Sequence, residues 1–110
     1  MYQHPEAINH LELMIIHQPT IVEQKYLEGT LKDYLEIVAT RYEDAVAGTL
    51  RQIPANEQQA KISEAEAQAA KLFIQLPEEI IAKKVPIEEI LVEEVIQGIS
   101  EELGVELVLN

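Results

Sequence analysis

The stretch that decides the fold is residues 27–50, which read LEGTLKDYLEIVATRYEDAVAGTL. Apolar and small side chains recur there at spacings of three and four residues: Leu27, Leu31, Leu35, Val38, Tyr42, Ala45 and Thr49. A second row runs beside them, formed by Tyr34, Ile37, Val46 and Leu50. These spacings match one side of an α-helix, which has about 3.6 residues per turn. The stretch therefore predicts a long helix with one buried face and a bend near Gly29-Thr30.

The opposite side of this helix carries charges that alternate in sign. Acidic and basic residues stand three or four positions apart, as Lys25–Glu28, Glu28–Lys32, Lys32–Glu36 and Arg41–Asp44. Side chains at these spacings are neighbours on a helix surface and can form ion pairs. The pattern predicts a side of the helix that faces water.

Prolines and a capping pattern predict where the first two helices begin and end. Pro5 opens a first helix over residues 5–17, which Pro19 ends. Thr20 with Glu23 is a capping-box pattern, so the long helix should begin there. Pro54 ends the long helix.

The helix that follows starts at a second capping pattern, Asn56 with Gln59. It runs through Ile62, Ala65 and Ala69 to Phe73. Because the turn before it is short, we expect this helix and the long one to form an antiparallel hairpin.

The last third of the chain contains two more proline-initiated segments. Pro77 opens a short helix over residues 77–84, and Pro86 opens a longer one that Gly104 ends. Residues 105–109 alternate weakly and fit a short strand or an extended tail. The fold class predicted is all-α, a four- to five-helix bundle with a long central antiparallel hairpin, in a single domain over residues 1–110.

Residues 71–76 allow a second interpretation. The alternating run from Lys71 to Leu76, then Pro77-Glu78-Glu79-Ile80 and a helix from Pro86, resembles the strand–helix–helix order of ribbon-helix-helix antitoxins and repressors. The resemblance covers about a third of the chain and implies a DNA-binding regulator that presents a strand to the major groove. The side chains on the outward side of such a strand would be Lys71, Phe73 and Gln75.

Composition limits the classes of function. The net charge of −12 disfavours binding to phosphate backbones and to anionic membranes, which require a basic surface. The absence of cysteine excludes disulfides and thiolate chemistry. No signal peptide or membrane-spanning run is visible, so we expect a cytoplasmic protein without membrane contact.

Candidate reactive residues do not assemble into a site in the sequence. His10 and His17 lie two helical turns apart and do not converge on one ion, so we interpret them as polar edge residues of the first helix. Ser63 and Ser100 lack the glycine-bounded turn of an activated serine. We expect no catalytic residue, no cofactor and no metal, and therefore no enzyme.

The last helix offers the clearest surface for a partner. Its apolar band is wider than one neighbour requires, which fits either a central core helix or an interface. The candidate partner-binding residues are the apolar Ile87, Ile90, Leu91, Val95, Ile99 and Leu103 and the acidic Glu88, Glu89 and Glu93.

These features predict a non-catalytic protein–protein interaction module, an adaptor, assembly or regulatory factor that acts through helix faces. We expect it to self-associate, most simply as a homodimer. The alternative is an acidic inhibitor, antitoxin or nucleic-acid mimic that occupies a basic surface of its partner.

Overall fold

The computed structural model describes residues 4–81 and 89–107, and for residues 89–92 it describes the backbone alone. Within these ranges the chain forms six helices and no strand: α1 (Pro5–His17), α2 (Pro19–Glu28), α3 (Leu31–Arg51), α4 (Ala55–Phe73), α5 (Glu78–Ile81) and α6 (Glu89–Leu103). The predicted all-α fold is confirmed. The number of helices exceeds the predicted four or five because the long helix is divided in two.

The first helix has the limits that its sequence predicts. The His4 Nδ1 accepts a hydrogen bond from the Ala7 backbone N–H at 3.3 Å, which satisfies a donor that a helix start leaves free. The His4 Nε2 donates to a Glu43 carboxylate oxygen at 3.0 Å. The residue that caps α1 therefore also ties it to α3.

The predicted long helix from Thr20 to Pro54, with a bend near Gly29-Thr30, is in fact two helices that are separated at Gly29. This glycine has a φ of 75°, a left-handed conformation that ends α2. The start also differs, since Pro19 occupies the first turn and Gln18 is the N-cap instead of Thr20. Leu27 is 72% exposed, so the buried stripe begins at Leu31.

The hairpin is confirmed: α3 and α4 pack along each other, joined by residues 52–54. The N-cap of α4 is Pro54, so the predicted cap at Asn56 is wrong. The Gln58 side-chain amide donates to the backbone carbonyls of Leu50 and Ile53, at 2.9 and 3.1 Å. The bond to Ile53 satisfies a carbonyl beyond the end of α3, and the bond to Leu50 adds to the one that its carbonyl accepts from the Ile53 N–H at 3.1 Å.

The largest core lies where α1, α2, the first half of α3 and the end of α6 meet. Its buried members are Ala7, Leu11, Met14, Ile15, Val22, Leu31, Leu35, Ala39, Leu76, Ile99 and Leu103. A smaller cluster lies at the base of the hairpin and contains Val38, Tyr42, Ala69 and Ile74. Tyr34 packs against both clusters and so connects them.

The strand interpretation of residues 71–76 is wrong. α4 continues through Phe73, and the N–H groups of Ile74 and Gln75 both bond to the Ala70 carbonyl at 2.8 Å. Donors used to close a helix cannot pair with a strand, so the strand of the ribbon-helix-helix resemblance is absent here.

The end of the chain agrees in part with its prediction. α6 ends at Leu103, followed by Gly104 with a φ of 66°. Residues 105–107 form neither helix nor strand. The rest of the predicted tail lies outside the described residues, as do residues 82–84 of the predicted short helix and the predicted start of the last helix at Pro86.

Candidate functional site

The residues that the sequence predicts as a partner surface on α6 do not form one exposed surface among the described side chains. Ile99 and Leu103 are 0% and 2% exposed and belong to the core. Val95 is half-buried and packs against the same core. Glu93 is exposed. Glu89, Ile90 and Leu91 are described only as backbone of α6, and Ile87 and Glu88 lie outside the described ranges. The core interpretation of α6 therefore holds for the residues of its second half.

The outer side of α6 is acidic. Glu93, Glu94, Glu101 and Glu102 are all exposed, and α6 contains no lysine or arginine. Gln97 is exposed between these two pairs of glutamates. The helix therefore presents two pairs of glutamates, and no basic side chain, to solvent.

A buried polar network joins three parts of the chain around His10. This side chain is only 6% exposed, so the prediction that it lies at a polar edge is wrong. One ring nitrogen, Nδ1, lies 2.7 Å from the Ile74 carbonyl oxygen and must donate to it, because a carbonyl oxygen only accepts. The other nitrogen, Nε2, then accepts from the Tyr34 hydroxyl at 2.9 Å.

Tyr34 connects this network to α2. The Lys25 ammonium lies over the Tyr34 ring, 4.5 Å from its centroid, which is a cation–π geometry. Burial raises the pKa of the Tyr34 phenol above its ordinary value of 10.0, and the positive charge of Arg41 opposes part of this rise. Both ring nitrogens of His10 are occupied by protein partners, so the network positions α1 and α3 against the end of α4.

The outer face of α3 is exposed from the first turn of the helix to its last. We use this name for the residues on the side of α3 opposite the core: Asp33, Glu36, Ile37, Thr40, Arg41, Asp44, Ala47, Gly48 and Arg51. All are exposed except the half-buried Gly48. Ile37 is 50% exposed, and with its neighbours from Asp33 to Arg41 it lines a shallow cavity of about 440 Å³.

Charges on this face are not paired within the described structure. Asp33, Glu36, Arg41 and Asp44 make no ion pair there, so the predicted Lys32–Glu36 and Arg41–Asp44 pairs are not formed. The Lys25–Glu28 and Glu28–Lys32 pairs are likewise absent from that part of the chain. The Arg51 Nε donates to the Ala47 backbone carbonyl at 3.3 Å.

A second cavity, of about 300 Å³, lies where α3 turns into α4. It runs from Thr49 along one side of α4 to Gln68 and includes Lys61. The Lys61 ammonium already lies 3.7 Å from the Glu64 carboxylate, so this cation has a partner in its own helix. The outer face of α3 is therefore the better candidate for contacts that the chain does not make with itself.

No protein-family model, no curated protein and no solved structure matches this chain. Within the described ranges, no helix is both long and apolar enough to cross a membrane. No three His, Asp or Glu side chains of those ranges come together as metal ligands.

Two features of the site were missed from the sequence. The burial of His10 had a signal, since His10 follows Ala7 by three positions and precedes Met14 by four, and both are buried. The exposure of Ile37 had none, because an isoleucine beside the predicted buried stripe is normally expected to widen it.

Proposed function

We propose that this protein is a non-catalytic interaction module that self-associates through an exposed helix face. The observation that carries the proposal is the outer face of α3, where Ile37 is 50% exposed beside unpaired charges of both signs. Burying the exposed part of such a side chain in an interface is favourable, at roughly 25 cal/mol per Å² of apolar surface. The charged side chains of the same face would set the orientation of the second copy of the chain.

The proposal is tested by measuring molar mass by light scattering during size-exclusion chromatography, from micromolar to millimolar protein. The expected result is a mass that rises from 12.4 kDa toward twice that value as concentration increases. Ile37→Glu should shift the transition to higher concentration, because it places a charge in the contact.

The matched control is Ile62→Glu. Ile62 is also a partly exposed isoleucine, at 40%, but it lies in α4 away from the outer face of α3. It should leave the mass profile unchanged. A wild-type protein that stays at 12.4 kDa at every concentration would contradict self-association.

The acidic surface of α6 supports a second candidate function, the occupation of a basic surface on another protein. The support is that Glu93, Glu94, Glu101 and Glu102 are exposed on a helix without basic residues. Attraction between exposed charges is screened within about 10 Å at 0.1 M salt, so such binding must weaken steeply with added salt.

The test of the second candidate is isolation of bound proteins at low and high salt, with wild type and a variant in which these four glutamates are changed to glutamine. A partner held by this surface is lost at high salt and is not retained by the variant. A partner retained in both cases would exclude the acidic surface as its binding site.

A further inference from the structure

The charges on the outer face of α3 are ordered so that two copies of this face, placed antiparallel, bring opposite charges next to each other. Asp33 lies at the start of the helix and Arg51 at its end, with Arg41 and Asp44 between them. We propose that the outer faces of α3 from two copies of the chain pack antiparallel, around a two-fold axis at the level of Tyr42 and Glu43. This inference rests on the proposed self-association and names its interface.

Antiparallel packing brings opposite charges together. With the axis at this level, Asp33 of each copy lies beside Arg51 of the other, and Arg41 lies beside Asp44. The two-fold symmetry makes each of these contacts twice, because an isologous interface pairs one patch with itself. Parallel packing would instead place Asp33 beside Asp33 and Arg51 beside Arg51, which is repulsive.

The same register matches side-chain sizes. Ile37 of one copy lies opposite Ala47 and Gly48 of the other, so the one large apolar side chain of the face meets its smallest residues. A Cβ built at Gly48 has nothing within 4 Å, so no contact inside the described structure requires a glycine. Glycine inside a helix costs about 1 kcal/mol relative to alanine. The lack of a side chain at Gly48 would allow a second helix to approach closely, which is a physical reason for a glycine at this position.

The size of the contact sets the expected strength. From Asp33 to Arg51 the helix rises about 27 Å, at about 1.5 Å per residue. One helix pair of this length buries less than the ~800 Å² per partner of a standard interface. The dimer should therefore be weak and should dissociate on dilution.

The experiment exchanges the charges at the two ends of the face. Asp33→Arg and Arg51→Asp are measured singly, together as a double variant, and as a mixture of the two single variants, by sedimentation equilibrium. Each single variant places like charges at both ends of its own dimer. Each exposed pair contributes about 0.2–1 kcal/mol, and both pairs change from attraction to repulsion, so we expect dimerisation to be at least about fourfold weaker.

The double variant and the mixture test whether Asp33 of one copy lies beside Arg51 of the other. Both restore opposite charges across the interface, so both should dimerise within about threefold of wild type at the same salt. An ion pair within one chain cannot explain such a rescue, because the two positions are about 27 Å apart on the same helix. Lys32→Asp is the control, since it reverses a charge in the same turn as Asp33 but off the outer face.

Circular dichroism must show that every variant keeps the helical content of wild type. The inference is overturned if wild type dimerises and the single variants dimerise equally well; self-association then stands and its interface lies elsewhere. It is also overturned if the single variants weaken the dimer and neither the double variant nor the mixture restores it. A wild type that is monomeric throughout contradicts both the interface and the proposed function.

Discussion

The side chain of Tyr26 in α2 lies directly against the backbone of Gly98 in α6. A Cβ added at Gly98 would overlap the Tyr26 hydroxyl oxygen and would come within 2.8 Å of its Cζ atom. Atoms do not approach a real Cβ that closely, so a side chain at position 98 would force the half-buried Tyr26 ring, which packs against the core, to shift. This contact gives a physical reason for a residue that lowers helix propensity in the middle of α6.

Gly98→Ala should destabilise the protein. The added methyl group gains about 1 kcal/mol of helix propensity, but overpacking of a contact this close costs about 1–3 kcal/mol or more. The net free energy of unfolding should therefore fall, as measured by urea denaturation at a protein concentration that is low enough for association not to contribute.

The control for Gly98 is Gly48→Ala, because a Cβ at Gly48 meets no atom within 4 Å. At the same low concentration this variant should be more stable than wild type by up to about 1 kcal/mol. A Gly98→Ala protein as stable as Gly48→Ala would show that Tyr26 does not constrain α6.

Gly29→Ala should also destabilise the chain, for a different reason. The φ of 75° at Gly29 costs an alanine about 1–2 kcal/mol, and no steric contact adds to this because a Cβ there meets nothing within 4 Å. Gly29→Asn should lose less, since asparagine tolerates the left-handed region better. Equal unfolding free energies for wild type and Gly29→Ala in urea would contradict the left-handed cap.

Tyr34→Phe and Tyr42→Phe should differ in their effect on stability. Removing the Tyr34 hydroxyl leaves the buried Nε2 of His10 without its donor, which should cost about 1–3 kcal/mol. The Tyr42 side chain is also buried, but among the described residues its hydroxyl has no hydrogen-bond partner. Removing this unpartnered hydroxyl leaves no other group without a hydrogen bond, so the unfolding free energy should stay unchanged or rise slightly. Equal losses in thermal or urea unfolding would show that the His10–Tyr34 bond is not what stabilises this part of the core.

Stability should fall at alkaline pH. Burial raises the pKa of Tyr34 above 10.0, and burial raises that of Tyr42, with Glu6 and Glu66 adding to the effect. The folded chain therefore keeps these phenol protons to higher pH than the unfolded chain does. The stability they confer is complete below pH 10.0 and is lost as the pH rises through the raised pKa values.

The measurement is the unfolding free energy at several pH values from neutral to alkaline, with phenolate absorbance followed in parallel. The variant with both Tyr34→Phe and Tyr42→Phe should lose stability less steeply above pH 10.0 than wild type. Lysines titrate in the same range in both proteins, so the difference between them isolates the two tyrosines. Identical slopes would contradict the effect of burial on these phenols.

Helix identity and most helix limits could be predicted from the sequence. Pro5 and Gly104 mark helix ends for local reasons, a fixed φ with no N–H in one case and access to positive φ in the other. The sequence predicts a bend at Gly29, but its left-handed conformation ends α2 there and so breaks the helix. The predicted caps at Thr20 and Asn56 are wrong because both helices begin earlier, with Gln18 and Pro54 as their N-caps.

The candidate surfaces could be predicted less well, because periodicity shows that side chains share a face but not how far a neighbouring helix covers it. Leu27 belongs to the stripe of Leu31 by spacing, yet it is exposed because the chain breaks between them. The acidic outer side of α6 followed from its composition, whereas the burial of Ile99 and Leu103 depended on where α6 lies against α1 and α2.

The sequence by itself determined an acidic, all-helical chain with a central hairpin, since these properties depend on composition, on spacing and on local backbone preferences. Only the tertiary structure decided that His10 is buried between Tyr34 and the Ile74 carbonyl, and that Ile37 faces solvent. The reason is that both depend on contacts between residues far apart in the chain. His10 and Ile74 are separated by 64 positions, and nothing local to either residue specifies that they meet.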